Sequence, residues 1–547
     1  MSAVARPAFA LERSWPVRRD RVALGCVLAV ALGLRAVALA GTPLDPFYDA
    51  AVRTMGGSWH AFLTGALDPS GQVAIDKPPV DLWLQVASTK VFGFGAVGLL
   101  LPGVVCGVAA VALLYDLVGT LAGRRAALVA AAGLAVLPVD VITARSDTMD
   151  VAMSALVLAA LAVTARGARD GRASRVVVGG ALVGLAFEVK LFEALLALVP
   201  LSVLWLVGAR AAVPVRRRVA ALAGAFGACA AVGVLWLVAL TIAVPAARRP
   251  WAFGATDGSA WRATFVYDGW DRLAGGGHAV ASGVAHGSVP AAPGPLRLLA
   301  AQDGLGSRLG VELAAAWLVM VMVIATRAWR PLDRVGRAGL LALGTWLALG
   351  TVLFSVQAGF RPRYAEAFTA AIAAVLGIGA IRLAAVAGHR GRTVLAVGLA
   401  AVLAASATTA IAAVNGHVED SGTLGAMPAA RLHRLSAFLR EHQGTARYEA
   451  ADVATTKAAA LIAADGHAQL ILDADRGRPL VTPAALAAAV TSGAVRYAVA
   501  GTSCSAATPD GCSPAARWIH AHGTDVSHAA GQPHAGLVYR LGARHGG

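Results

Sequence analysis

Eleven apolar runs, each about as long as a bilayer crossing, recur along this chain and leave it few folds to choose from. They lie at roughly 22–40, 97–121, 125–143, 150–166, 175–188, 191–208, 219–245, 309–326, 338–357, 365–386 and 393–414. A helix needs about 20 apolar residues to cross a membrane. The segment 79–93 is apolar but shorter, and reads as an interface helix or a re-entrant piece, with a tilted extra span as the alternative. Of the 547 residues, 57% are hydrophobic and only 14% charged, too few charges for a soluble globular surface. The expected fold class is an α-helical polytopic membrane protein of about 11–13 transmembrane helices, at the plasma membrane.

The formal charge is +16, which in a soluble protein would suggest nucleic acid. Here the arginines sit in short loops. Six clusters occupy alternate loops: Arg13, Arg18, Arg19 and Arg21; Arg124 and Arg125; Arg166, Arg169, Arg172 and Arg175; Arg210, Arg216, Arg217 and Arg218; Arg327, Arg330, Arg334 and Arg337; Arg382, Arg390 and Arg392. By the positive-inside rule these loops and residues 1–21 are cytoplasmic, and no nucleic-acid partner is expected. The membrane domain then spans 22–414. Its extracytoplasmic loops are 41–95 and 246–308, and a tail, 415–547, follows on the same side.

The tail changes character. "RYEAADV", "AQLILDA" and "VRYAVAG" are short β-like runs, alternating with the helix-like "TTKAAALIAADG" and "TPAALAAAVTSG". That alternation predicts a small extracytoplasmic α/β domain. Cys504 and Cys512 are the only cysteines outside the apolar runs, and on an exported face they are expected to form a disulfide. Cys26, Cys106 and Cys229 lie within spans and read as packing residues.

Charged residues gather at the outer span ends. Asp45 and Asp49 follow the first span, ahead of "DAAVRTMGGSWHAFL", which reads as an interfacial amphipathic helix. A carboxylate just above a bilayer suits a general base, and it equally suits a helix cap. "AIDKPPVDLW" offers Asp76 and Lys77 on a proline-stiffened turn. "TARSDTMD" carries Arg145, Asp147 and Asp150; "FEVKLFE" carries Glu188, Lys190 and Glu193; "FRPRYAE" carries Arg361, Arg363, Tyr364 and Glu366. Cations at four outer ends run against the positive-inside trend. They fit an anionic lipid phosphate, or local pairing with Asp76, Asp147, Glu188 and Glu366. The loop after 246 mixes Trp251, Trp261, Tyr267 and Trp270 with Asp257, Arg262, Asp268 and Arg272. Such aromatics suit sugar faces and interface belts alike. The Gly- and Ala-rich stretch that follows reads as a flexible lid; its His278 and His286 lack zinc-site spacing.

At these residues the chain resembles a known family. A first-loop acid, "DKPPVDLWLQ", "TARSDTMD", a lysine after "GLAFEV" and a late "RPRY" resemble the GT-C membrane glycosyltransferases of family 39. These include protein O-mannosyltransferases and lipid A aminoarabinose transferases, and "PFYDAAVRTM" with "SWHAFLTG" is most similar to the YkcB-like bacterial branch. The resemblance implies inverting transfer of a polyprenyl-phosphate-linked sugar, on the extracytoplasmic face, to a hydroxyl on a glycan, lipid or protein. It implies Asp45 as base with Asp49 as alternative, and Asp147 as a second-loop carboxylate. Lys77, Arg145, Lys190, Arg361 and Arg363 become donor-phosphate ligands. Tyr48, Asp76, Asp150, Tyr267, Asp268, Trp270 and Tyr364 become substrate contacts. In aminoarabinose transferases the acid before "KPP" can sit at a divalent metal; Asp76 matches it in place, but no histidine partner is evident, so no metal site is assigned. A secondary transporter and a non-catalytic envelope-assembly protein are the competing readings; no inverted repeat is apparent.

Overall fold

The structure, a computed structural model, describes residues 17–274, 292–300, 309–358, 360–421, 425–475, 478–500 and 512–542. It divides into two compact units, one of residues 1–43, 100–235 and 271–421, the other of 44–99, 236–270 and 422–547. Helices and strands are numbered along the chain. The expected lid lies mostly outside the described residues, as does Cys504.

The first unit is a helical bundle. It holds α1 (Val17–Ala36), most of α5 (Ala96–Ala122), α6 (Arg124–Val136), α7 (Pro138–Ala144), α8 (Asp150–Asp170), α9 (Ala173–Lys190), α10 (Leu198–Gly208) and α11 (Val215–Gly233). It continues with α13 (Val311–Ala325), α14 (Arg334–Val356), α15 (Glu366–Val386) and α16 (His389–Asn415). Among the described residues seven helical stretches are long and apolar enough to cross a bilayer, or nine if each bent pair is one span. The stretch Ala173–Gly208 counts as one of the seven yet contains two expected spans. Leu191 takes φ 59, and the chain turns back there. The Arg210 N–H then donates to Ala168 O at 3.2 Å, so α10 ends level with the start of α9. With the 15-residue α13, every expected run is a helix or a broken helix.

Packing follows from small residues, which let helices approach closely where lipid supplies no hydrophobic drive between them. A Cβ on Gly180 of α9 would lie 2.0 Å from Ala225 O of α11, and one on Gly377 of α15 2.6 Å from Ala126 O of α6. The α6–α7 pair bends by 61° at Leu137–Pro138, because proline has no N–H for the preceding turn. The freed carbonyls are not left bare: Arg35 Nη1 donates to Ala135 O at 3.0 Å and Nη2 to Leu134 O at 3.2 Å. The arginine clusters converge at one end of the bundle. Arg124 pairs with Asp20 at 3.4 Å, Arg169 with Asp333 at 3.2 Å, Arg334 donates to Val207 O and Arg382 to Ala328 O.

The second unit collects the two long loops and the tail. It holds α2 (Pro46–Met55), α3 (Trp59–Thr64), β1 (Val73–Ala74), α4 (Val80–Phe92), α12 (Leu235–Ala243, but for its first residue) and β2 (Trp251–Ala252). The expected single interfacial helix is instead two, broken at Gly56–Gly57, and α2 is buried on eight of its ten residues rather than on one face. The segment expected as an interface or re-entrant piece is α4, 13 residues, shorter than a crossing. β1 and β2 pair in parallel, joining the two loops directly ahead of Asp76.

The tail forms α17 (Ala429–Gln443), β3 (Ala451–Asp452), α18 (Thr455–Asp465), β4 (Leu470–Ile471), α19 (Pro483–Thr491), β5 (Tyr497–Val499), α20 (Pro514–His522), β6 (Thr524–Asp525) and β7 (Val538–Arg540). Its five-stranded sheet has the order β4-β3-β5-β7-β6, parallel among the first three. The three β-like runs and two helix-like runs all appear, and β6, β7, α17 and α20 are added. Cys512 is disulfide-bonded. The edge strand β4 is covered: Ile471 N–H donates to Gln72 Oε1 at 3.0 Å.

Candidate functional site

The bundle brings five of the expected residues together. Lys190, the last residue of α9, reaches Asp150 at the first turn of α8, Nζ to Oδ2 2.9 Å. Arg363 approaches the same oxygen at 3.8 Å, and Thr148 Oγ1 donates to it at 2.8 Å. Tyr364 stands beside them, with Lys190 Nζ 5.3 Å and Arg363 Cζ 5.8 Å from its ring centroid. Arg361 acts electrostatically on the same tyrosine. Arg272 was not among the expected site residues, yet its Nη1 donates to Tyr364 Oη at 2.8 Å. In the sequence it stands out only as one of the charges mixed with the aromatics of its loop. Arg363 also donates through Nη1 to Asp420 O at 2.6 Å, and Asp420 N–H donates to Ser146 Oγ at 2.9 Å. Four cationic side chains thus converge on one tyrosine, with Asp150 meeting two of them and Asp420 acting on Arg361.

One other expected residue of this unit goes elsewhere. Arg145 is fully buried and faces the end of α1, donating to Leu34 O at 3.3 Å, Ala38 O at 3.4 Å and Thr42 Oγ1 at 3.3 Å. Those carbonyls belong to the last turn of a helix and the residues after it, so the guanidinium serves as a C-terminal cap. Asp147 is buried in the short turn between α7 and α8.

The second unit holds a different cluster. Asp45 is fully buried and caps α2, accepting from Phe47 N–H at 3.1 Å. Asp49 lies one turn on, also buried. Tyr48 Oη donates to Asp76 Oδ1 at 3.3 Å, Asp76 Oδ2 pairs with Lys77 Nζ at 3.2 Å, and that ammonium lies 5.3 Å from the Tyr48 ring centroid. Burial first, and the Asp76 carboxylate second, push the Tyr48 phenol well above its ordinary range, so it acts here as a donor. Asp268 is buried and acts on the same phenol. It sits on a widened helical turn, Ala263–Trp270, that holds Tyr267 against Phe253 with ring centroids 6.3 Å apart. Gly254, at φ 81, leaves room for that ring; a Cβ there would lie 2.4 Å from it. Trp270 is largely exposed.

Among the described residues no group of three or more His, Cys, Asp or Glu side chains is disposed to hold a metal ion. Asp76, the acid placed for one by resemblance, engages an ammonium and a phenol.

Residues 76–237 match the dolichyl-phosphate-mannose-protein mannosyltransferase family, and 435–522 the C-terminal region of YkcB-like putative mannosyltransferases. The putative mannosyltransferase YycA of Bacillus subtilis (strain 168) is 32% identical over 178 residues, 32% of this chain and 26% of that protein. YkcB of the same organism is 29% identical over 232 residues, 42% of this chain and 32% of that protein. The matched stretches therefore cover about a third or less of these relatives' lengths. Among solved structures, apo ArnT from Cupriavidus metallidurans superposes with a TM-score of 0.59 at 15% identity, over 96% of this chain and 99% of that one. ArnT bound to undecaprenyl phosphate gives 0.56 at 16%, over 97% and 99%. AglB from Archaeoglobus fulgidus, in complex with an inhibitory peptide and a dolichol-phosphate, gives 0.55 at 12%, over 88% and 69%. The bundle with its loop-and-tail unit is the GT-C fold.

Proposed function

We propose that this chain, which resembles the YkcB-like branch of the GT-C membrane glycosyltransferases, moves a sugar from a polyprenyl-phosphate donor to an acceptor hydroxyl on the extracytoplasmic face, with inversion. The observation that carries the reading is the convergence of Lys190, Arg272, Arg361 and Arg363 on Tyr364. A concentration of fixed cations at the end of a membrane bundle suits an anionic ligand. A lipid phosphate is the natural anion there. The sidedness is supported by the arginine clusters that converge at one end of the bundle.

In the proposed reaction the acceptor hydroxyl gives its proton to Asp45, with Asp49 and Asp147 as the alternatives. Its oxygen attacks the anomeric carbon as the bond from that carbon to the phosphate oxygen breaks. Negative charge grows on the leaving phosphate, where Lys190, Arg361 and Arg363 stabilise it and Arg272 holds Tyr364 in place. A phosphate leaves as a stable anion, so one base suffices. Asp76, Tyr48 and Lys77 form a rigid hydrogen-bonded set that fixes the start of α2, and with it Asp45.

Polyprenyl phosphomannose is the first donor to try, because both relatives are described as putative mannosyltransferases. Purified protein is incubated with the radiolabelled donor and envelope acceptors. Transfer or donor hydrolysis that disappears in the Lys190→Ala/Arg363→Ala variant supports the reading. Wild-type turnover in that variant, together with wild-type turnover in Asp45→Ala, Asp49→Ala and Asp147→Ala, refutes it.

A further inference from the structure

A small cavity in the bundle has room for one water-sized occupant. It lies where α6 breaks from α7, and Leu137 and Pro138 form one wall. The first turn of α13 and the second half of α16 form the rest, and the polar side chains that line it are Glu312, Ser406 and Thr409. Glu312 is 1% exposed and Ser406 4%. The Glu312 carboxyl lies against α6 at Gly133, where a Cβ would be 3.8 Å from Oε2.

Neither oxygen of Glu312 makes a well-formed hydrogen bond, and among the described residues no basic side chain pairs with it. Arg35, the guanidinium at the same bend, is engaged by Asp140 and by the carbonyls of Ala31, Leu134 and Ala135. A carboxylate held out of water needs a positive partner or a proton. The hydroxyls beside it are disposed for the former. Thr409 gives its proton to Ala405 O at 3.0 Å, so what its oxygen has left to offer is lone pairs. A carboxylate and two hydroxyl oxygens, with no basic side chain in the lining, form a donor set for a hard cation. One acid answers one positive charge, whereas a divalent ion draws more oxygen ligands than a water-sized cavity with one carboxylate supplies. Broken spans are also where membrane proteins coordinate sodium.

We propose that Glu312, Ser406 and Thr409 bind a sodium ion at the α6–α7 bend. The site stands apart from the cation cluster at Tyr364 and does not depend on the phosphate-binding reading. An ion held there joins α13 and α16 to the start of α7, the helix that leads into Arg145, Asp147 and Asp150. Sodium therefore stabilises the bundle by binding the folded chain and not the unfolded one.

Radioactive sodium is the probe, on the full-length protein in detergent, with choline chloride holding the ionic strength constant. The wild type is expected to bind a single sodium per chain, saturably, displaced by unlabelled sodium and not by choline. Its melting temperature should rise as sodium replaces choline. Glu312→Gln keeps the size of the side chain and removes its charge. That variant should bind no sodium above background and melt at one temperature in both salts. Thr409→Val removes one oxygen ligand at nearly constant volume and should weaken sodium binding about tenfold. If Glu312→Gln does not fold, Thr409→Val carries the test. Absence of saturable sodium binding in the wild type overturns the proposal and leaves Glu312 holding a proton. A folded Glu312→Gln protein that binds sodium as the wild type does overturns it too, as does an unchanged affinity in Thr409→Val.

Discussion

Two tyrosines in this molecule have nearly the same company and opposite electrostatics. Tyr364 in the bundle and Tyr48 in the loop-and-tail unit each have a lysine ammonium 5.3 Å from the ring and an aspartate on that lysine. At Tyr48 the hydroxyl donates to the aspartate, Asp76, which also pairs with Lys77, and Asp268 acts on the same phenol. At Tyr364 the hydroxyl accepts from Arg272, and two further arginines crowd in. The first arrangement joins its acid and base within hydrogen-bond reach and serves to hold α2. The second gathers four cationic side chains around one ring, the arrangement on which the proposed phosphate site rests.

The comparison breaks most decisively at the cations. Lys190→Ala/Arg363→Ala should lower transfer by roughly 10⁴-fold, since each lost charge-stabilising donor costs about 10²–10³. The same double variant also leaves Asp150 without its two cations, at about 3–5 kcal/mol of stability. Lys190→Met/Asp150→Asn removes both charges; it should melt near the wild type yet remain inactive. An active double variant would mean that the pair is structural only.

Asp45 comes next, and its two roles separate cleanly. Asparagine caps a helix as well as aspartate does, but it cannot accept the acceptor's proton. Asp45→Asn should therefore fold normally and lose about 10²–10⁴-fold in turnover. If Asp45 only caps α2, Asp45→Asn is neutral and Asp45→Ala loses about 1 kcal/mol in thermal melting. Tyr48→Phe should do less: losing one hydrogen bond costs about 1 kcal/mol, roughly a fivefold drop in rate through the position of α2. A larger drop in Tyr48→Phe than in the Lys190 variants would invert the ranking of the two clusters.

How much of this was legible in the sequence depends on whether the signal was local. The spans were, because about 20 apolar residues are their own signature, and the turn at Leu191 was visible as Glu188, Lys190 and Glu193 interrupting an apolar stretch. Lys190, Arg363, Tyr364 and Asp150 were each visible as charge or aromatic character at a span end, though their convergence is a tertiary fact. Arg272 was named among the charges of the aromatic loop but given no site role, because by itself it looks like an ordinary loop arginine. Arg145 was visible for its charge, but its structural employment depends on where α1 ends, 109 residues earlier. The buried α2 was misread as interfacial: "DAAVRTMGGSWHAFL" has spaced apolar residues, and nothing local says that α18 of the tail packs over α2 through Arg53, whose Nε donates to Ala463 O at 3.1 Å. Asp140 and Glu312 were passed over inside apolar runs, where a single acid barely alters the pattern.

The smallest effect on activity is expected at Glu449, a fully buried acid of the tail remote in kind from either tyrosine cluster. Burial first, and the Asp465 carboxylate second, raise it from an ordinary 4.5 to about 9. The folded protein therefore keeps a proton between those values that the unfolded chain releases. The stability associated with that proton is fully present below about pH 4.5, declines as pH rises, and is gone above about 9. At pH 7 the cost is about 3 kcal/mol, from about 1.4 kcal/mol per pH unit. Glu449→Gln should remove it. The amide can donate to Asp465 while its carbonyl accepts from Gln469 Nε2, which now serves the Glu449 carboxyl. The variant should melt higher than the wild type at pH 8, equal it near pH 4.5, and transfer sugar at an unchanged rate. A variant that melts lower at pH 8 would show that Glu449 is ionised in the fold. A variant that melts as expected but turns over tenfold slower would show that the tail acts on the reaction through α2, and that the self-contained cluster at Tyr48 is part of the catalytic machinery after all.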